Sequence, residues 1–179
     1  MLRRRLILAA WLNAALAAIG GRVVVVGGSA LEFYTQGEYA TADLDLVSVD
    51  RVLIGQRLEE LAFVHSGRYW VADELNLVVE VPDDTLKVGG TPGDWERVTS
   101  VEVPGIGAAT IIGPEDLLVD RLLAARYWND QASLHWARTL LRYWGAEPTE
   151  ALMLDRAYLE ALARREGVGE LLTQLLAEG

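Results

Sequence analysis

Cysteine is absent from the 179 residues, which removes disulfides, thiolate catalysis and cysteine-ligated zinc from consideration. Histidine occurs only at His65 and His135, too few for a histidine-based zinc site. Lysine occurs once, at Lys87, against fifteen arginines. Positive charge is scarce overall: 16 basic residues face 26 acidic ones, for a formal net charge of −10. Such a field repels nucleic acid at long range and argues against a generic polyanion-binding protein, although a local basic cleft is compatible with it. There is also no internal repeat, low-complexity tract or long linker, and no apolar run long enough to span a bilayer. A hydrophobic content of 51% is enough for one domain, or one domain with a helical appendage.

The N-terminus offers two readings. Arg3-Arg4-Arg5 followed by LILAAWLNAALAA resembles a secretory leader, with an Ala-Leu-Ala triplet at 15–17. Trp11 and Asn13 suit such a leader poorly, however, and Leu2, Leu6, Ala9, Leu12, Leu16 and Ile19 recur at three- and four-residue steps. The expectation is a buried first helix over 2–19, ended by Gly20-Gly21, in a cytoplasmic protein with no membrane association.

Downstream, Val23–Val26 is a continuous β-branched run, typical of a strand covered on both faces. Gly27-Gly28 predicts a turn, Ser29–Gln36 a short helix, and Leu44–Val49 the next strand. Asp50 can cap a helix reaching about Leu61. Phe63–Val71, Leu75–Val81, Glu96–Val103 and Ala108–Ile112 carry strand composition between turn residues. Gly113-Pro114-Glu115-Asp116 is a helix start, with proline at the first helical position and acids at the positive end of the dipole. Helices are then expected over about 114–127, 130–144, 150–165 and 168–178. Strands before residue 112 and helices after it predict an α+β fold: a small mixed-sheet core over 1–112, with a helical subdomain over 113–179 packed on it.

Chemistry concentrates in the stretch VVVVGGSALEFYTQGEYATADLDLV. Asp43 and Asp45 stand at i and i+2 of a strand, so both carboxylates fall on one face while Leu44 and Leu46 take the other. Two like charges so placed can converge on a hard cation such as Mg²⁺, which prefers oxygen ligands and keeps waters and substrate phosphates in its shell. Gly27 and Gly28 leave backbone N–H groups open to close approach and Ser29 opens a helix, an arrangement suited to a phosphate. The plainer alternatives are a tight turn, a helix cap and a solvated acidic face.

Gly27-Gly28-Ser29 followed by Thr41-Ala42-Asp43-Leu44-Asp45-Leu46 resembles the signature of the polymerase-β-like nucleotidyltransferase superfamily. Gly67-Arg68-Tyr69-Trp70, Val79-Glu80-Val81-Pro82 and the block from Pro114 to Leu122 (PEDLLVDRL) are similar to a largely uncharacterised branch close to the AbiEii-type toxins of toxin–antitoxin systems. The resemblance covers about residues 20–176 and implies a Mg²⁺- or Mn²⁺-dependent enzyme. The activity the resemblance implies is transfer of an NMP from an NTP to an acceptor hydroxyl on a tRNA end, a protein or a small molecule. Asp43 and Asp45 are implied as metal ligands and catalytic residues, with Glu80 as the third carboxylate, since it is the only acid inside its apolar strand. Gly27, Gly28, Ser29, Arg68, Arg121 and Arg126 are implied as nucleotide-binding residues. Two departures accompany it: Arg121 and Arg126 stand where the toxins carry a helix lysine, and Asn129-Asp130 replaces an Arg-Asp pair. An antitoxin protein is the partner that branch implies. The rival is a degenerate nucleotidyltransferase-fold module that binds a nucleotide or a protein without turnover.

His65 and His135 read as structural histidines. Tyr127, Trp128, Trp136, Tyr143 and Trp144, interleaved with Arg126, Arg138 and Arg142, could stack bases but have the spacing of helix packing. The segment around Gly167 has too few basic residues for a groove-reading helix-turn-helix.

Overall fold

A computed structural model describes residues 2–146 and 154–178. The chain divides into two compact units. The first comprises residues 1–86 and 94–112, and the second residues 87–93 and 113–179.

The first unit opens with α1 (Leu2–Ala17), whose buried positions are Arg5, Leu8, Ala9, Ala10, Leu12 and Leu16. The buried stripe therefore runs through Arg5 and Leu8 rather than through Leu2 and Leu6. Ile19 lies beyond the helix end and is 61% exposed. β1 (Val24–Val25) is only two residues long, and its valines are fully enclosed. Next come α2 (Gly27–Tyr34), β2 (Leu44–Val47) and α3 (Arg51–Glu60), the last capped by the Asp50 carboxylate accepting from the Leu53 N–H at 2.9 Å.

The segment expected as one strand over Phe63–Val71 is instead a hairpin, β3 (Val64–Ser66) and β4 (Tyr69–Ala72). Gly67, at φ +64°, makes the reversal that extended residues on either side concealed in the sequence. β5 (Leu77–Asp83) follows. The short strands β6 (Lys87–Val88) and β7 (Thr91–Pro92) pair with each other in the second unit, and β8 (Thr99–Val103) and β9 (Gly107–Ile111) complete the first.

Seven strands form one mixed sheet in the order β3-β4-β5-β2-β1-β9-β8. β1 runs antiparallel to β2 and parallel to β9, whereas β2 runs parallel to β5. α1 lies against β9 and reaches it through Asn13, whose amide donates to the Ala108 carbonyl at 3.0 Å. This is the α+β class expected from the sequence.

The second unit contains α4 (Pro114–Tyr127), α5 (Gln131–Ala146), α6 (Arg156–Arg165) and α7 (Gly169–Glu178) with the β6–β7 hairpin. The expected start of α6 near residue 150 lies outside the described residues. Buried acids stiffen the beginning of α4. Glu115 accepts from the Asp155 N–H at 2.6 Å, and Asp116 accepts from the Tyr158 hydroxyl at 2.7 Å. Among the described residues no helix is long and apolar enough to cross a membrane.

Candidate metal and phosphate site

Two neighbouring strands, β2 and β5, bring the carboxylates together. β2 presents Leu44 and Leu46 to the core at 0% exposure, which leaves Asp43 and Asp45 on the opposite face, partly open. The register of β2 against β5 places Asp45 directly opposite Glu80, and the register of β5 against β4 places Glu80 opposite Tyr69. Residues directly opposite across a ladder share a face, so Tyr69, Glu80 and Asp45 form one row. One carboxylate oxygen from each of Asp43, Asp45 and Glu80 lies within 4.8 Å of the others.

Gly27 and Gly28 are not a turn ahead of a helix: they are its first residues, with Ser29 third. No side chain of the preceding residue, Val26, caps the helix. The first N–H groups of a helix lack intrahelical partners, and here Asp45 reaches across from β2, its Oδ2 accepting from the Gly28 N–H at 3.1 Å. Gly27 sits at φ +56°, and a Cβ there would stand 2.7 Å from Asp45 Oδ2. Both a left-handed conformation and a close approach thus require glycine at this position.

Asp43 is fixed from two sides. The Ser29 hydroxyl donates to the Asp43 carbonyl oxygen at 2.7 Å, and the Thr41 hydroxyl donates to Asp43 Oδ1 at 2.7 Å. Ser29 is 2% exposed, so its hydroxyl is committed to holding the strand, and the group it turns toward Asp45 is its backbone N–H.

Electrostatics mark Asp45. Its carboxyl is raised from 3.8 to about 6, first by burial and then by the neighbouring Asp43 charge, with Glu80 adding a smaller push. The Gly28 and Ser29 N–H groups act in the opposite direction. Asp45 thus holds its proton more firmly than a free aspartate, with two further acids on the same face. Three carboxylates brought this close offer hard oxygen donors that could hold a divalent cation.

A guanidinium reaches the acidic face from the β3–β4 turn, that of Arg68. Its Nε lies 3.3 Å from Glu80 Oε1, its guanidinium stands 4.8 Å from the centre of the Tyr69 ring, and its side chain is 70% exposed. Arg121 and Arg126 belong to the second unit. There Arg121 is held by Asp120 at 2.5 Å and faces Ser133, while Arg126 is exposed beside the Tyr127 ring. His65 stacks on Trp70 with ring centres 4.6 Å apart and takes no part in the acidic face.

Two residues that shape this site carry little signal in the sequence. Thr41 has only the signal that a hydroxyl two residues before a strand acid can turn back onto it. Arg5 closes a basic run in the sequence. Its place three residues before Leu8, on the stripe that continues to Leu12 and Leu16, was the available signal that it points inward.

No family model and no curated protein matches the sequence. Among solved structures, the chain is similar to the crystal structure of an antigenic nucleotidyltransferase-like protein from Paracoccidioides brasiliensis. The two share 15% identity with a TM-score of 0.56, over 98% of this chain and 92% of that one. A likeness at this identity is one of fold, and the fold is nucleotidyltransferase-like.

Proposed function

We propose that the protein is a divalent-metal-dependent nucleotidyltransferase that moves an NMP from an NTP to an acceptor hydroxyl, with release of pyrophosphate. One observation carries the reading: the oxygens of Asp43, Asp45 and Glu80 converge within 4.8 Å of one another, beside the N-terminus of α2. An acidic cluster alone is common on protein surfaces. Joined to helix N–H groups suited to a phosphate, on a nucleotidyltransferase-like fold, it acquires a specific chemistry.

Asp43, Asp45 and Glu80 would hold Mg²⁺ or Mn²⁺. A bound ion of this kind supplies charge neutralisation and Lewis-acid polarisation of phosphoryl oxygens. The remaining work falls to the chain. The N-terminus of α2, whose Gly28 and Ser29 N–H groups face Asp45, would present its positive end to phosphate oxygens, with Gly27 allowing the close approach. Arg68, exposed at the rim and already beside Glu80, neutralises the triphosphate. Ser29 and Thr41 keep Asp43 in place while the acceptor oxygen and the α-phosphorus are brought into line, because this transfer is catalysed by positioning and electrostatics. The roles of Arg121 and Arg126 at the phosphates rest on the sequence resemblance alone, as does the toxin-like branch with its antitoxin and its tRNA or protein acceptor.

Calorimetric titration with each NTP, with and without Mg²⁺, tests the reading on wild type and on Asp43→Asn/Asp45→Asn. Metal-dependent micromolar binding that disappears in the double variant supports it. A folded wild-type protein that binds no NTP rules out the active enzyme. Metal-dependent binding with no transfer to RNA, protein or small-molecule hydroxyls would favour a binding module instead.

A further inference from the structure

A buried charge pair joins α1 to α2. Arg5 of α1 is 2% exposed and pairs with Glu32 of α2, itself 5% exposed. Its second terminal nitrogen donates to the Thr41 carbonyl oxygen at 2.5 Å. Its Nε, also buried, has no hydrogen-bond partner among the described residues. A buried guanidinium with an unmatched N–H is costly, and an apolar pair of similar volume commonly serves stability as well or better. Stability is therefore a poor account of why the pair is there.

Its contacts supply a better one. Glu32 lies on the helix whose first turn is Gly27-Gly28-Ser29, and Thr41 is the residue whose hydroxyl donates to Asp43 Oδ1. Thr41 is also wedged against that first turn, since a Cβ on Gly28 would stand 3.1 Å from its Oγ1. One guanidinium thus ties together the helix that offers the N–H groups and the loop that aims the first carboxylate. With the Thr41 carbonyl clamped, the Thr41 backbone is held where its hydroxyl reaches Asp43 Oδ1.

We infer that Arg5 is a positioning residue for metal and nucleotide binding: through Glu32 and Thr41 it fixes the Asp43 carboxylate relative to the α2 N-terminus. The inference rests on the nucleotidyl-transfer reading of the site but is tested without turnover. Mn²⁺ affinity, measured by electron paramagnetic resonance, is set beside the melting temperature for wild type, Arg5→Met/Glu32→Met, Arg5→Lys and Thr41→Val. The Met/Met pair is expected to melt close to wild type yet bind Mn²⁺ at least about tenfold more weakly, because the packing survives and the aim is lost. Arg5→Lys keeps a charge for Glu32 but not the fork that also reaches Thr41, so it should fall between the two. Thr41→Val should lose affinity with the ion pair intact, and if the Met/Met variant does not fold, Arg5→Lys, which leaves Thr41 in place, carries the comparison with wild type. Equal Mn²⁺ affinity in wild type and the folded variants overturns the inference, as does a Thr41→Val variant that binds like wild type. A wild-type protein that binds no Mn²⁺ overturns the functional reading itself, and this inference with it.

Discussion

The α-carbon of Gly27 faces the Asp45 carboxylate so closely that a methyl group there would stand 2.7 Å from Oδ2. Gly27→Ala therefore meets two obstacles, the contact and the left-handed backbone at φ +56°. The backbone alone costs about 1–2 kcal/mol for a residue with a Cβ. The variant should melt several degrees lower and, with Asp45 displaced, bind Mn²⁺ at least about tenfold more weakly. Thermal melts and metal titration on the same sample check both, and wild-type affinity in Gly27→Ala would disprove the role given to this contact.

The pH dependence follows from Asp45. Its folded value of about 6 lies above the ordinary 3.8, so between these values the folded state holds the proton more firmly than the unfolded chain. Stability from this group is then full below 3.8 and is lost as pH rises through about 6, a change of roughly 2–3 kcal/mol. Metal binding has the opposite sign, because it requires the ionised carboxylate. Mn²⁺ affinity should rise with pH up to about 6 and level off above it. Titrations at half-unit intervals from pH 5 to pH 8 would reveal a flat profile if the carboxyl is unperturbed.

Asp45→Asn separates folding from binding. Asparagine keeps an oxygen for the Gly28 N–H but removes the charge that Asp43 and Glu80 oppose. At pH 7.5 the metal-free variant should be more stable than wild type by about 1–3 kcal/mol, the gain shrinking toward pH 4. The same variant should lose Mn²⁺ binding. Chemical denaturation at the two pH values measures the first effect, and a destabilised Asp45→Asn at pH 7.5 would contradict it.

Arg68→Gln should act with opposite signs on two ligands. The Arg68 guanidinium sits 3.3 Å from a Glu80 oxygen and so competes with a cation for that acid. Its removal is expected to tighten Mn²⁺ alone by no more than about two- to fivefold, since the side chain is exposed and the pair is screened. Binding of an NTP in the presence of the metal should weaken, because the triphosphate loses a counter-charge. Changes in the same direction for both ligands would exclude the competition.

The α+β class was legible in the chain because strand and helix patterns separate near residue 112. The alternation of Asp43, Leu44, Asp45 and Leu46 also gave the acidic face directly, since a strand has a period of two. Glu80 could be selected as the single acid of the expected strand Leu75–Val81, although β5 runs on to Asp83, yet its pairing with Asp45 could not be read. Register joins segments 35 residues apart, and local sequence does not encode it. The glycine pair looked like a turn because glycine is a poor helix former. Its N–H groups and the room beside Asp45 explain why it begins α2 instead. Arg5 was hidden by its neighbours: after Arg3 and Arg4 a third arginine looks like solvated charge, and only the stripe through Leu8 distinguishes it.

The β6–β7 hairpin has a practical consequence for truncation. Residues 87–93 are flanked on both sides by segments of the first unit but belong to the second, where the Gly90 N–H and the Thr91 hydroxyl both bond Glu166. A single cut after Ile112 would leave this hairpin on the wrong fragment, severed from its acceptor, and would leave Glu166 on a helical piece without its donors. A minimal version of this protein should be sought by replacing residues 87–93 with a short linker as well as by trimming the helices.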